Sequence, residues 1–378
     1  MTTTLKTAGI LLAATIVPAS AVAGVTYKDG DKYIKLGGRI QMQYHLSDPD
    51  AGEKTDELFF RRLRPYIEGS LYKNWKGKIQ WDMGKAEGEN EIAVKDAYMQ
   101  YKTQSGTKVI IGNKVFPFSR EMITSSKKQQ LVERTFVGDH NYGTPDRNMG
   151  IHLKGHAADK MFNWGAAITQ ASIDPDDQKL DFDSPANANK DFNEGFMAGG
   201  RIEMSFGNRV KFSQGDFSGK TATSIGFGAY TWSNDGDNNS GNEADNKADV
   251  DSVTGLELSA AYRGNGLSID AQINSFDAET VVANHTGGIY KDGTTTLTNA
   301  AVEAGYMVSP KTLELVLGYQ TQDADNYADA WNRTSIGANW FIEKHKIKVQ
   351  MTYRIGENLK GVTNNNEDEF YLQTQYVF

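Results

Sequence analysis

The chain has 378 residues, with 40 Lys and Arg against 48 Asp and Glu, a formal net charge of -8. That balance argues against a general nucleic-acid binder, which is normally basic. The absence of cysteine excludes disulfide frameworks, thiolate metal sites and cysteine nucleophiles together. Gly at 38 against Pro at 8, with Tyr and Phe at 17 each, is a composition suited to strands, turns and an aromatic surface belt.

The chain opens on an export signal. Lys6 supplies a minimal positive region, Ile10–Val17 is a short apolar run, and Ala21-Val22-Ala23 is a small-x-small cleavage pattern. Residues 1–23 therefore read as a signal peptide, with a mature domain over 24–378. The run is too short for a spanning helix of roughly 20 residues. No later segment is continuously apolar over such a length.

Period-two alternation follows throughout. Ile34, Leu36, Ile40, Met42 and Tyr44 oppose Lys35, Arg39, Gln41 and Gln43. Leu63, Pro65 and Ile67 oppose Arg62, Arg64 and Tyr66. Leu256 and Leu258 oppose Glu257 and Ser259, and Leu315 and Leu317 oppose Glu314. The chain ends on Phe370, Leu372, Thr374, Tyr376 and Phe378, a closing strand that stops on a terminal aromatic residue. Each segment suits a strand crossing a membrane at a tilt. The pattern predicts about sixteen, the least regular being 149–157 and 221–232.

Long polar connections alternate with tight turns, apart from a longer stretch at 207–220 where a short turn is due. The expected fold is all-β: a transmembrane antiparallel up-and-down barrel of about sixteen strands, with short periplasmic turns, long external loops and both termini periplasmic. A sandwich with Greek-key crossovers has no reason to alternate in this way. The polar face carries Lys, Arg, Glu, Asp and Gln, which cannot pack a dry core unpaired. A barrel this wide admits water. The apolar face is expected to meet lipid, with rims marked by Trp75, Trp81, Trp164, Trp232 and Trp340.

The longest connection, 116–148, is the third external loop. Folded inward, it brings Arg120, Lys127 and Lys128 to a constriction. Arg39, Arg201, Arg263, Arg333 and Arg354 share lumenal parity with Glu203, Glu257, Asp270, Glu303 and Glu314. No metal site is expected. His152 and His156 lie about 13 Å apart on a strand, and Asp235–Gly241 lacks the glycine and glutamate of a calcium loop. No catalytic motif appears, no cofactor is implied, and the chain does not read as an enzyme.

The chain resembles the phosphate-selective porin O/P family of Gram-negative outer-membrane porins. The resemblance rests on Phe60-Arg61-Arg62, Asp96-Ala97-Tyr98, and Gly112-Asn-Lys-Val-Phe-Pro-Phe-Ser119 leading into Thr124-Ser-Ser-Lys127. It implies a homotrimer of sixteen-stranded barrels in the outer membrane, in contact with lipid and lipopolysaccharide. It also implies a constriction lined by Arg61 and Arg62, Asp96, and Lys127 with Lys128, with inorganic phosphate or other small anions as solutes. Strict alternation turns Arg62 and Arg64 inward and leaves Arg61 inward only if its strand is irregular. The acids on the polar face suit a weakly selective general porin as well. A structural or adhesive barrel with a plugged lumen is the third reading.

Overall fold

The computed structural model describes residues 24–84, 92–173, 175–183, 195–234 and 249–378. Residues 1–23, read above as a signal peptide, and the loop Asp235–Gly241 lie outside them. The first half of the wall comprises β1 (Val25–Asp29), β2 (Lys32–Gly37), β3 (Arg39–Pro49), β4 (Thr55–Leu63), β5 (Tyr66–Tyr72), β6 (Trp75–Asp82), β7 (Ala93–Lys102), β8 (Lys108–Val115), β9 (Arg147–His156) and β10 (Phe162–Gln170). A two-strand flap, β11 (Ser172–Ile173) with β12 (Phe182–Asp183), stands apart from it. The second half is β13 (Phe196–Gly207), β14 (Ala222–Ser233), β15 (Val250–Gly264), β16 (Leu267–Thr280), β17 (Thr294–Ser309), β18 (Leu313–Asp323), β19 (Trp331–Glu343), β20 (Ile347–Glu357) and β21 (Glu367–Val377).

Each wall strand pairs antiparallel with its neighbours, and β21 closes on β3, Tyr376 opposite Ile40. Segments β2 and β3 form one long stave, interrupted at Gly38. Segments β4 and β5 form another, interrupted at Pro65, which has no N–H to give the ladder. The described wall therefore has sixteen staves, with the short β1 continuing the sheet beside β2 beyond the end of β21. Strands stand at 149–157 and 221–232, as the alternation predicts. Closure leaves no open edge along the wall, the condition for placing a sheet in hydrocarbon. No helix among the described residues is long and apolar enough to cross a membrane.

Adjacent residues show which face is which. Leu258 is 54% exposed and Glu257 only 1%. Ile67, Ile111, Ile151, Leu317 and Tyr353 are likewise exposed, while Gln41, Gln43, Asn274 and Gln350 are buried inside. Trp75 and Trp340 are on the exposed face. Trp232 departs from the expected belt: it is 2% exposed, packs on Phe182 inside the barrel and donates its indole N–H to the Ala171 carbonyl. The inward-folded chain supplies an apolar environment there that alternation along one strand does not reveal.

Loop 116–148 lies within the lumen. Phe118 packs on Tyr230 and Phe276, and Phe136 on Trp331 and Tyr142. Glycines on the facing wall make room for its tip. A Cβ on Gly318 would stand 2.9 Å from a Leu131 methyl, and one on Gly305 would collide with the Gln130 amide. The absence of a side chain at these two positions is a condition of where the loop lies.

The face assignment carries a measurable consequence. Leu258→Arg places a charge on the apolar face near the middle of β15 and is expected to cost about 2–4 kcal/mol of folding free energy. Reversible urea unfolding in lipid vesicles checks it, and an unchanged midpoint contradicts the assignment.

Candidate functional site

The site begins at an irregularity in β4. Gln41 of β3 faces Arg62, but the next residue, Met42, faces Phe60, so Arg61 is an extra residue without a ladder partner. Such a bulge shifts the alternation by one residue. Arg61, Arg62 and Arg64 all reach the lumen in consequence. Arg61 makes a two-pronged ion pair with Glu133 of the inward loop, at 2.6 and 3.1 Å. Arg62 donates to Gln41 and stands 3.9 Å from the same carboxylate. Arg64 pairs with Asp82 at 2.5 Å.

Asp96 on β7 is held by three cations: Lys78 at 2.6 Å, Lys114 at 3.1 Å and Arg147 at 3.0 Å. Arg39, Lys127 and Lys128 form no ion pair with a carboxylate among the described residues. The 3-10 turn Ser126–Lys128 sets both lysines beside the wall, and the Gln375 amide fixes the Lys127 carbonyl at 3.0 Å.

Two cavities run in series between the loop and the wall, the larger reaching from β19 round through β21 and β4 to β9. One of about 840 Å³, toward the long loops, is lined by Arg61, Arg62, Arg64, Glu133, Arg134 and Arg147 among others. The other, of about 390 Å³, is lined by Lys35, Arg39, Arg64, Lys78, Asp96, Lys127 and Lys128 among others. Arg64, Met122, Ser126, Arg134 and Arg147 border both and form the neck between them.

Arg120 is elsewhere. It is 2% exposed, pairs with Glu203 and with Asp270 at 3.3 Å, and lines neither cavity of the passage. Its guanidinium binds the opposite wall. That wall carries the acids of the polar face, and each meets a partner. Arg201 lies 3.0 Å from Glu203 and 3.2 Å from Glu257, Arg263 lies 2.7 Å from Asp270, and Gln130 donates to Glu314 at 2.9 Å. Glu303 accepts from Gln214. Residue-by-residue parity finds these acids but not the loop that covers them.

Glu133, Arg134 and Arg147 also belong to the site, and sequence reasoning does not single them out. Glu133 is one of four acids in the loop 116–148, and only its pairing with Arg61 and Arg62 sets it apart. Its neighbours Arg61 and Arg62 overcome the effect of burial and hold its carboxyl down at about 2. Burial, followed by repulsion from Arg39, Lys128, Lys78 and Lys35, lowers the Lys127 ammonium to about 8.

A closed barrel, apolar outside and polar within, narrowed by a loop from its own chain, defines a transmembrane porin of the outer membrane. Solved structures share the fold. An anion-selective porin from Comamonas acidovorans superposes with a TM-score of 0.64 at 11% identity, over 92% of this chain and 100% of that one. The channel DcaP of Acinetobacter baumannii gives 0.59 at 12%, over 94% and 100%. OmpT of Vibrio cholerae gives 0.59 at 14%, over 94% and 100%. Porin O of Pseudomonas aeruginosa is 27% identical over 164 residues, which is 40% of this chain and only 36% of that protein. The family described as phosphate-selective porin O and P matches residues 34–378. The chain belongs to that family, one of porins and not of enzymes.

The lowered Lys127 value fixes a pH response. Below about 8 the ammonium is charged, and above it the charge is lost. Raising the pH from 7 to 9 is expected to move the reversal potential in a KCl gradient toward neutral selectivity. Lys127→Arg, whose guanidinium stays protonated, is expected to reduce that shift. An equal shift in the variant would place the titrating group elsewhere.

Proposed function

We propose that the chain, with residues 1–23 removed and 24–378 as one barrel domain, is a water-filled channel for phosphate and other small anions. In this reading both termini are periplasmic, the long loops face outward among lipopolysaccharide, and three copies assemble. OmpT of Vibrio cholerae has been solved in a trimer form. The observation that carries the reading is the unequal fate of the lumenal charges. The acids Glu203, Glu257, Asp270, Glu303 and Glu314, on the wall behind the loop, are engaged by Arg120 and Gln130 of the loop, Gln214 of the connection 207–220, and Arg201 and Arg263 of the wall. Arg39, Arg61, Arg62, Arg64, Lys127 and Lys128 border the open cavities.

The chemistry follows from the side chains. Arginine forks bind phosphate oxygens in pairs of hydrogen bonds, and a lysine adds a mobile point charge. Narrow walls of low polarizability concentrate the field of those charges and raise the local anion concentration. Conduction also requires release. Glu133 beside Arg61 and Asp96 beside Lys78, Lys114 and Arg147 compete with the solute and keep its binding weak enough to leave. Arg120 serves as the loop's tether to the far wall.

Glu133, Asp96 and Asp146 border the passage as well, and they are what a weakly selective pore would need. Planar-bilayer recording of the purified protein separates the readings. The expected result is a reversal potential on the anion side in a KCl gradient, with added phosphate blocking chloride current. Arg62→Ala with Lys127→Ala removes two cationic contacts, each worth about 1.5–3 kcal/mol as charge-assisted bonds. The half-blocking phosphate concentration is therefore expected to rise by about a hundredfold or more. Equal permeability without block would assign a general porin, and no conductance at all would assign a structural barrel.

A further inference from the structure

The connection 207–220 is the one that breaks the alternation of long and short, and it stands at the short-turn end between β13 and β14. It does not hang from the barrel. Gln214, Gly215 and Asp216 are buried, and the segment rises into the lumen toward the inward loop from the opposite side.

Four contacts from outside the connection converge on Gln214. Its backbone N–H donates to the Lys128 carbonyl at 3.0 Å, and its backbone carbonyl lies 2.9 Å from His345 Nε2. Its side-chain oxygen accepts from the Gln130 N–H at 2.6 Å, and its side-chain amide donates to Glu303. One residue thus joins the constriction loop at Lys128 and Gln130, the β17 wall at Glu303 and the β19–β20 turn at His345. Neighbouring groups hold the segment itself. Ser268 accepts from the Gly215 N–H, Asp216 accepts from the Gly266 N–H, and Arg263 donates to the Ser213 carbonyl.

The other supports of the cationic turn come from the wall. Gln375 donates to the Lys127 carbonyl, and Lys348 donates to the Gln129 carbonyl. Gln214 instead holds it from within the lumen, at the Lys128 carbonyl and the Gln130 N–H. Arg120 anchors the start of the loop, eight residues before Lys128. The side chains of Lys127 and Lys128 carry no ion pair among the described residues, so their location depends on backbone contacts.

We propose that the connection 207–220 is a second inward element of the channel and that Gln214 is the residue that positions Lys127 and Lys128 across the passage. Anion selectivity then depends on a contact made from the end opposite to the loop's own anchorage. Gln214 touches no solute; it acts through the loop. The inference rests on the proposed anion preference, and the experiment keeps the two separable.

Because the contact to Glu303 has a donor and an acceptor, it can be reversed. Gln214→Glu sets two carboxylates against each other. Adding Glu303→Gln restores one donor and one acceptor: the amide now on β17 donates, and the new carboxylate still accepts from the Gln130 N–H. Phosphate block of chloride current, reversal potential and thermal unfolding are measured for wild type, Gln214→Glu, Gln214→Met and the double variant. Gln214→Glu is expected to raise the half-blocking phosphate concentration about tenfold, as lost buried hydrogen bonds imply. The double variant should recover most of that loss. Gln214→Met, of similar volume, keeps the backbone contacts to Lys128 and His345 but loses the side-chain bonds to Gln130 and Glu303, and should weaken block while the barrel still unfolds as wild type does. Block unchanged in both single variants, or lost without recovery in the double variant, overturns the positioning role. Wild type without any phosphate block overturns the anion reading instead.

Discussion

The ion pairs of Arg120 with Glu203 and Asp270 decide where everything else in the lumen can be. Arg120 and Glu203 are almost wholly withdrawn from water. A charge in that position is tolerable only with its partner present, since removing one member strands the other at a cost of about 3–5 kcal/mol. The start of loop 116–148 is therefore committed to the acidic wall of β13 and β16. The loop then crosses the lumen with its apolar side chains turned toward Tyr230, Phe276 and Trp331, and its tip reaches β17, β18 and β19 over glycines that leave space for it.

The passage is displaced to the other side of the barrel by the same commitment. What remains open is bordered by the loop's free edge and by the wall from β19 round to β9, where arginines and lysines are concentrated. A mixture of charges in the sequence thus becomes a separation of charges in space. The chain is acidic overall, yet its open path is lined mainly by cations, because the acids are occupied in holding the loop. Net charge describes solubility and long-range fields; it says little about a lumen partitioned in this way.

Most of the wall is legible in the sequence because a barrel in lipid leaves a local signature. Every second residue must be apolar, so Leu256 and Leu258 identify their strand without knowledge of its partners. The loop's interior contacts are not legible, because they join residues far apart in the chain. Arg120 and Asp270, or Gln130 and Glu314, carry no mutual signal in a single sequence. Trp232 leaves the expected belt for the same reason, since its partners Ala171 and Phe182 belong to a different loop. Of the candidate residues, Arg39, Arg62, Arg64, Lys127 and Lys128 follow from parity or loop position and do border the passage, whereas Arg120 is turned into the wall. Glu133 and Arg147 escape a sequence reading because their importance lies in whom they pair with. The long connection at 207–220 is visible as an anomaly of length, and only its contacts give that anomaly a reason.

The bulge at Arg61 joins the two levels. Ahead of it the even-numbered residues Leu58 and Phe60 are exposed on the apolar face. Beyond it the odd-numbered Ile67 and Leu71 are exposed instead, and Arg62 and Arg64 are buried. A regular strand could satisfy only one of these halves. Continued in the register of Phe60, it would send Arg62 and Arg64 into hydrocarbon, at about 2–4 kcal/mol each near the midplane. Continued backward in the register of Arg62, it would turn Leu58 and Phe60 into the lumen. The extra residue resolves the conflict, and the residue left over is itself an arginine, which meets Glu133 across the passage. The irregularity that keeps the outer face compatible with lipid therefore also adds a cation to the inner one, so that membrane fit and lumenal charge are set by a single inserted position.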